Sequence, residues 1–147
     1  MLNETLSDFY ERDISKLIEE INLFKNDENI WKTTGSIKNS CGNLVLHIIG
    51  GMNYLIGATL ANTGYIRNRD EEFTKKEIPK SELVAKLKDL SQMIKRTLGK
   101  FDDVRLEAPY PIFFDKPGAS TGYVLTQLSL HLNYHLGQVN YLRRMLE

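Results

Sequence analysis

Leu6, Phe9, Tyr10, Ile14, Leu17, Ile21 and Phe24 recur at steps of three and four residues, the spacing of one face of an α-helix. Acidic and basic residues fill the other side. This pattern predicts a first helix from Leu2 or Asn3 to about Phe24, ended by Lys25-Asn26-Asp27, and then a loop from Asn26 to Asn39. Ser40 is the expected cap of a second helix, which runs to the stop signal Asn62-Thr63-Gly64. The strongly charged stretch from Tyr65 to Lys80 reads as a connection. Ser81 is expected to cap a third helix, whose Leu83, Leu87, Leu90, Ile94 and Leu98 form an apolar seam ending near Gly99. Pro109, Pro111, Pro117 and Gly118 mark the stretch from Phe101 to Ala119 as irregular. Ser120 or Thr121 then opens a last helix that reaches about Met145, with Arg143 and Arg144 where positive charge suits the helix dipole.

The four segments differ in kind. The first and third are amphipathic and charged, whereas no Asp, Glu, Lys or Arg occurs from Asn39 to Ile66 or from Pro117 to Leu142. A helix without a charged face is buried on most sides, spans a membrane or supplies a subunit contact. Polar and glycine interruptions (Gly50, Gly51, Asn53 and Thr59; Gln127, Asn133, Gln138 and Asn140) argue against a membrane span. The reading is therefore all-α: one domain over residues 1–147, a four-helix bundle extended by a homodimer contact. Lys plus Arg equal Asp plus Glu at 19 each, which gives no general field for nucleic acid or an anionic membrane. Lys75, Lys76 and Lys80 alternate with Glu72 and Glu77, as in a solvated loop. Cys41 is the only cysteine, which excludes an internal disulfide and fits a reduced, cytoplasmic setting. It is expected to be a small buried hydrophobe. The N-terminus lacks the basic start and apolar run of a signal peptide.

All three histidines fall in the uncharged helices: His47 in the second, His131 and His135 in the last. An i, i+4 pair lies about 40° apart around a helix, so both rings can reach one point. Burying imidazoles without partners costs on the order of 1–3 kcal/mol per unsatisfied group, and a shared cation removes that cost. Three neutral imidazoles suit zinc, nickel, copper or iron and leave coordination positions open. No histidine has Glu three residues before it, and His131 is followed by Leu132, so neither a carboxylate-rich di-iron site nor a His-Glu-x-x-His motif is present. Asp13, on the inner stripe of the first helix, reads as a residue at the surface edge, with a carboxylate beside the metal as the other candidate role.

The run His131-Leu132-Asn133-Tyr134-His135-Leu136-Gly137-Gln138 resembles the C-terminal metal motif of the DinB-like four-helix bundles. Asn39-Ser40-Cys41-Gly42-Asn43-Leu44-Val45-Leu46-His47 resembles the start of that family's second helix, and Arg67-Asn68-Arg69-Asp70-Glu71-Glu72-Phe73 the charged segment after it in one branch. The resemblance implies an up-down-down-up bundle with a long connection between helices two and three. It also implies a three-histidine site for zinc or nickel, and frequent dimers. Bacillithiol-dependent S-transferases and mycothiol-dependent maleylpyruvate isomerase belong to the same group, so a metal-activated thiol is the chemistry it suggests. The sequence departs from the pattern at Gly51, where a polar residue, often Asn, is expected.

The leading expectation is thus a transferase in which His47, His131 and His135 hold a divalent ion and a low-molecular-weight thiol attacks an electrophile. Gln138 is placed to orient a ligand or water, or to make a packing hydrogen bond. Tyr54, Tyr134, Trp31 and Tyr110 are candidates for the pocket wall. A metal-dependent hydrolase and a non-catalytic, metal-binding dimeric module are the alternatives.

Overall fold

The computed structural model describes all 147 residues. It is all-helical, with no strands. Helix α1 spans Leu2–Leu23 and buries Leu6, Tyr10, Ile14, Leu17 and Ile21. Phe9, expected on the same face, lies at its edge, 43% exposed beneath the Arg12 guanidinium. The connection after α1 holds one 3-10 turn at Asp27–Trp31, started by the Asn26 side chain accepting from the Glu28 amide.

Helix α2 begins at Cys41–Met52, passes through a π-helical turn at Asn53–Ala58 and ends at Thr59–Ala61. Ser40 caps it as expected, its Oγ accepting from the Asn43 amide. Asn62 stops it in the left-handed conformation at φ 52°. The span Cys41–Ala61 is long and apolar enough to cross a membrane, but half of its most apolar window is buried inside the protein. Packing against the other helices accounts for that apolarity.

The charged stretch is not all connection. Helix α3, Arg69–Thr74, forms within it, capped by Asn68 accepting from the Glu71 amide. Helix α4, Lys80–Leu98, has Leu83, Leu87, Leu90, Ile94 and Leu98 fully buried. Its cap position is Pro79, whose carbonyl takes the Leu83 amide, so Ser81 sits inside the first turn and does not cap it. The irregular stretch carries a short helix α5, Asp103–Glu107, capped by Asp102. Tyr110 N to Ala119 O and Thr121 N to Ala108 O, each 2.8 Å, close that stretch on itself. Helix α6, Thr121–Leu146, starts at Ser120, whose Oγ accepts from the Tyr123 amide.

The four long helices touch in a closed ring: α1 against α4 and α6, and α2 against the same two. The core runs down the middle of that ring. Helix α3 lies across α2 and reaches it near His47. Helix α2 is buried almost all round, which explains its lack of charge. Helix α6, uncharged as far as Leu142, is not: Leu130, Tyr134, Tyr141 and Met145 are exposed along it.

Candidate metal centre

His47 on α2 faces His131 and His135, one turn apart on α6. The Nε2 atom of His131 stands 3.0 Å from that of His135 and 3.3 Å from that of His47. One ligand atom from each ring lies within 4.8 Å of the others. At metal–nitrogen bonds of about 2.0–2.1 Å, tetrahedral ligand nitrogens stand roughly 3.3 Å apart. Both pairs that include His131 already sit near the spacing a shared ion needs.

Their outer nitrogens decide where the protons are. The Nδ1 of His47 lies 3.0 Å from Glu72 Oε1, and a carboxylate only accepts, so Nδ1 carries the proton and Nε2 the lone pair. Likewise His135 Nδ1 donates to Gln138 Oε1 at 2.7 Å. Two lone pairs therefore face the His131 Nε2, which in a neutral ring carries at most one proton. A single cation at their shared point could accept lone pairs from all three nitrogens at once. Histidine ligands with the second ring nitrogen held by a carboxylate or amide oxygen are the usual arrangement at metal sites.

Glu72 is the carboxylate the sequence did not assign. It is 5% exposed, on α3 rather than in a solvated loop. Arg67 grips it twice, Nε to Oε2 at 2.8 Å and Nη2 to Oε1 at 2.9 Å, so the buried charge is paired in fork geometry. Two adjacent glycines of α2 make room for this pair. A methyl at position 50 would overlap the Glu72 carboxylate, and Arg67 Nη2 lies 3.4 Å from where a Cβ of residue 51 would stand. Gly51, where a polar side chain was expected, is thus covered by a guanidinium. Asn43 fixes α3 from below, its Nδ2 donating to the carbonyls of Glu72 (3.0 Å) and Lys75 (2.9 Å).

Burial favours the neutral, metal-binding form of His131 and His135. His131 is pushed down to about 4, first by loss of water and then by the nearby His135, His47 and Arg67. His135 is lowered for the same first reason, against the opposing pull of Gln138.

A family model described as "Protein of unknown function (DUF1572)" matches residues 3–147. The chain belongs to this family. DUF1572 is DinB-like, which agrees with the likeness of the histidine motifs, and no named relative links it to the bacillithiol transferases. No curated protein matches the sequence.

A cavity of about 740 Å³ opens beside the cluster, lined by His47, His131, Gly51, Leu55, Arg67 and Tyr134 among others. Of the candidate wall residues only Tyr134 lines it. Tyr110 acts one layer back, its hydroxyl donating to Leu55 O at 2.6 Å and its ring meeting Phe114 edge-on. Trp31 packs where Gly42 has no side chain, and Tyr54 does not reach the cavity. Gln138 holds His135 rather than a ligand. Asp13 is fully buried, not at a surface edge, and accepts from Arg12 Nε (2.8 Å) and Asn133 Nδ2 (2.9 Å), with no histidine among its partners. Cys41 is buried with its thiol pushed up to about 12 by desolvation, which removes it as a nucleophile. The missed Glu72 had one readable sign, the Gly50-Gly51 pair one turn beyond His47.

Proposed function

We propose that the protein is a metal-dependent enzyme that transfers a low-molecular-weight thiol to an electrophilic acceptor, with His47, His131 and His135 holding a zinc or nickel ion. The supporting observation is three Nε2 atoms converging at the edge of an open cavity, two of them with lone pairs fixed by outer partners. A divalent ion on neutral imidazoles supplies Lewis acidity that favours thiolate near neutral pH. The protein's own residues orient and shield. Glu72 and Gln138 fix the His47 and His135 rings and raise their basicity. Tyr134 and Leu55 provide apolar wall against the acceptor. In the net reaction the thiol proton passes to water, a sulfur–carbon bond forms, and the acceptor's leaving group departs with the electron pair of the broken bond. An up-down-down-up order of the four long helices and assembly as a cytoplasmic homodimer belong to the same reading.

The test is elemental analysis of untagged protein, followed by thiol transfer to a model electrophile with and without chelator. About one divalent ion per chain is expected, lost in His131→Ala, with transfer abolished by chelation. Full metal content in that variant, or a rate indifferent to chelation, would overturn the proposal. Turnover of esters or amides without thiol would point to a hydrolase at the same site.

A further inference from the structure

The walls that α2 and α6 give the cavity carry no charge apart from any on the histidines, so its other charged lining comes from elsewhere: Arg67, Arg69 at the start of α3, and Asp115 in the stretch before α6. Arg67 is already matched by Glu72. Arg69 takes part in none of the chain's ion pairs; its guanidinium stands 6.0 Å from the centre of the Phe73 ring, which itself lies 5.1 Å from the His47 ring. Asp115 is held by the Tyr123 hydroxyl, and that oxygen accepts from Gln127 Nε2 at 3.0 Å. One cation without a carboxylate partner therefore borders a cavity whose remaining lining is largely apolar.

We propose that this cavity takes an apolar molecule bearing a single carboxylate, which Arg69 receives while the body lies against Leu55, Phe114, Leu130 and Tyr134. The inference rests on reading the cavity as the substrate side of the histidine cluster and names the class of acceptor. A guanidinium fork matches a carboxylate in two parallel hydrogen bonds. Asp115 on the same lining opposes more highly charged anions, and Arg67, spoken for by Glu72, adds no net charge to attract them. The volume lies within the roughly 300–1,000 Å³ of small-molecule sites.

The test uses calorimetry on the full chain, in zinc-loaded and chelator-treated forms, with ion content measured on each sample. The probes are 4-phenylbutyrate, its neutral amide and 4-phenylbutyl phosphate. Wild type should bind the acid about tenfold more tightly than the amide, the size of one charge-assisted contact, and the phosphate no better than the acid. Arg69→Gln should bring the acid-to-amide ratio near one with ion content unchanged, Arg69→Lys should give an intermediate ratio, and Asp115→Asn should tighten acid binding. Equal binding of acid and amide, a preference that survives Arg69→Gln, or tighter phosphate binding would each overturn the inference. An untreated protein without metal would sink the thiol-transfer reading instead, since the chelator-treated arm still reads the Arg69-dependent preference.

Discussion

Replacing Glu72 by Gln keeps the shape of the side chain and removes one acceptor from a cluster that uses both. Oε1 takes His47 Nδ1 and Arg67 Nη2, and Oε2 takes Arg67 Nε. An amide has one oxygen, so its NH2 must face either the imidazole N–H or the guanidinium. Two consequences follow. The His47 ring loses its fixed tautomer or its orientation, a change that typically costs 10–100-fold in metal affinity, equivalent to about 1.4–2.7 kcal/mol. Arg67 keeps its charge without a partner, and because it is partly solvated the added loss of fold stability stays near the lower end of about 1–3 kcal/mol. Competition with a chromophoric chelator measures the first, and urea denaturation of the metal-free protein the second. Glu71→Gln, which affects only the exposed i, i+4 pair with Lys75, is the control and should change neither. Wild-type metal affinity in Glu72→Gln would refute the role given to this carboxylate.

Gly50→Ala should act on the same pair by steric means: its methyl displaces the Glu72 carboxylate, with an expected loss of about 1–3 kcal/mol in urea denaturation and weaker metal binding. Leu87→Ala, in the fully buried seam of α4, should cost about 2–5 kcal/mol yet leave one ion per chain, separating fold from site. The pH dependence has a definite sign. His131 is lowered in the folded state to about 4 from 6.5, so the unfolded chain binds more protons and the metal-free protein loses stability as pH falls from about 6.5 toward 4. Denaturation midpoints across that window should fall more in wild type than in His131→Asn; equal falls would refute it. Cys41 should react with a thiol reagent only on unfolding, and Cys41→Ala should transfer thiol at the wild-type rate; fast labelling of the native protein would contradict its burial.

The helix ends were legible where a side chain does the capping. Ser40, Ser120 and Asn62 stand where their chemistry says they should. Ser81 misled because Pro79, two residues earlier, leaves its carbonyl free to start the helix without a side-chain cap. The three histidines were legible because uncharged helices leave few other polar groups to explain. Glu72 was not, since an acid inside a charged run looks solvated, and its burial depends on Arg67 five residues before it and His47 on another helix. Tyr110 and Trp31 are aromatic residues in connections, and no periodicity says which cavity they face; the structure sets Tyr110 behind the wall at Leu55 and Trp31 against Gly42, away from the cavity lining. Asp13 fell on the inner stripe correctly, but its partner Asn133 lies on the face of α6 away from the histidines' shared point.

His47 and His131 are separated by 84 positions along the chain. An ion joining them would act as a removable staple across most of the polypeptide. Because the unfolded chain does not hold the three imidazoles together, the staple would act by mass action, adding about 2.7 kcal/mol at a free-ion concentration one hundredfold above its Kd. Loading and stripping the ion would then set how readily the whole molecule melts, so the supply of metal in the cell would govern its lifetime as well as its chemistry.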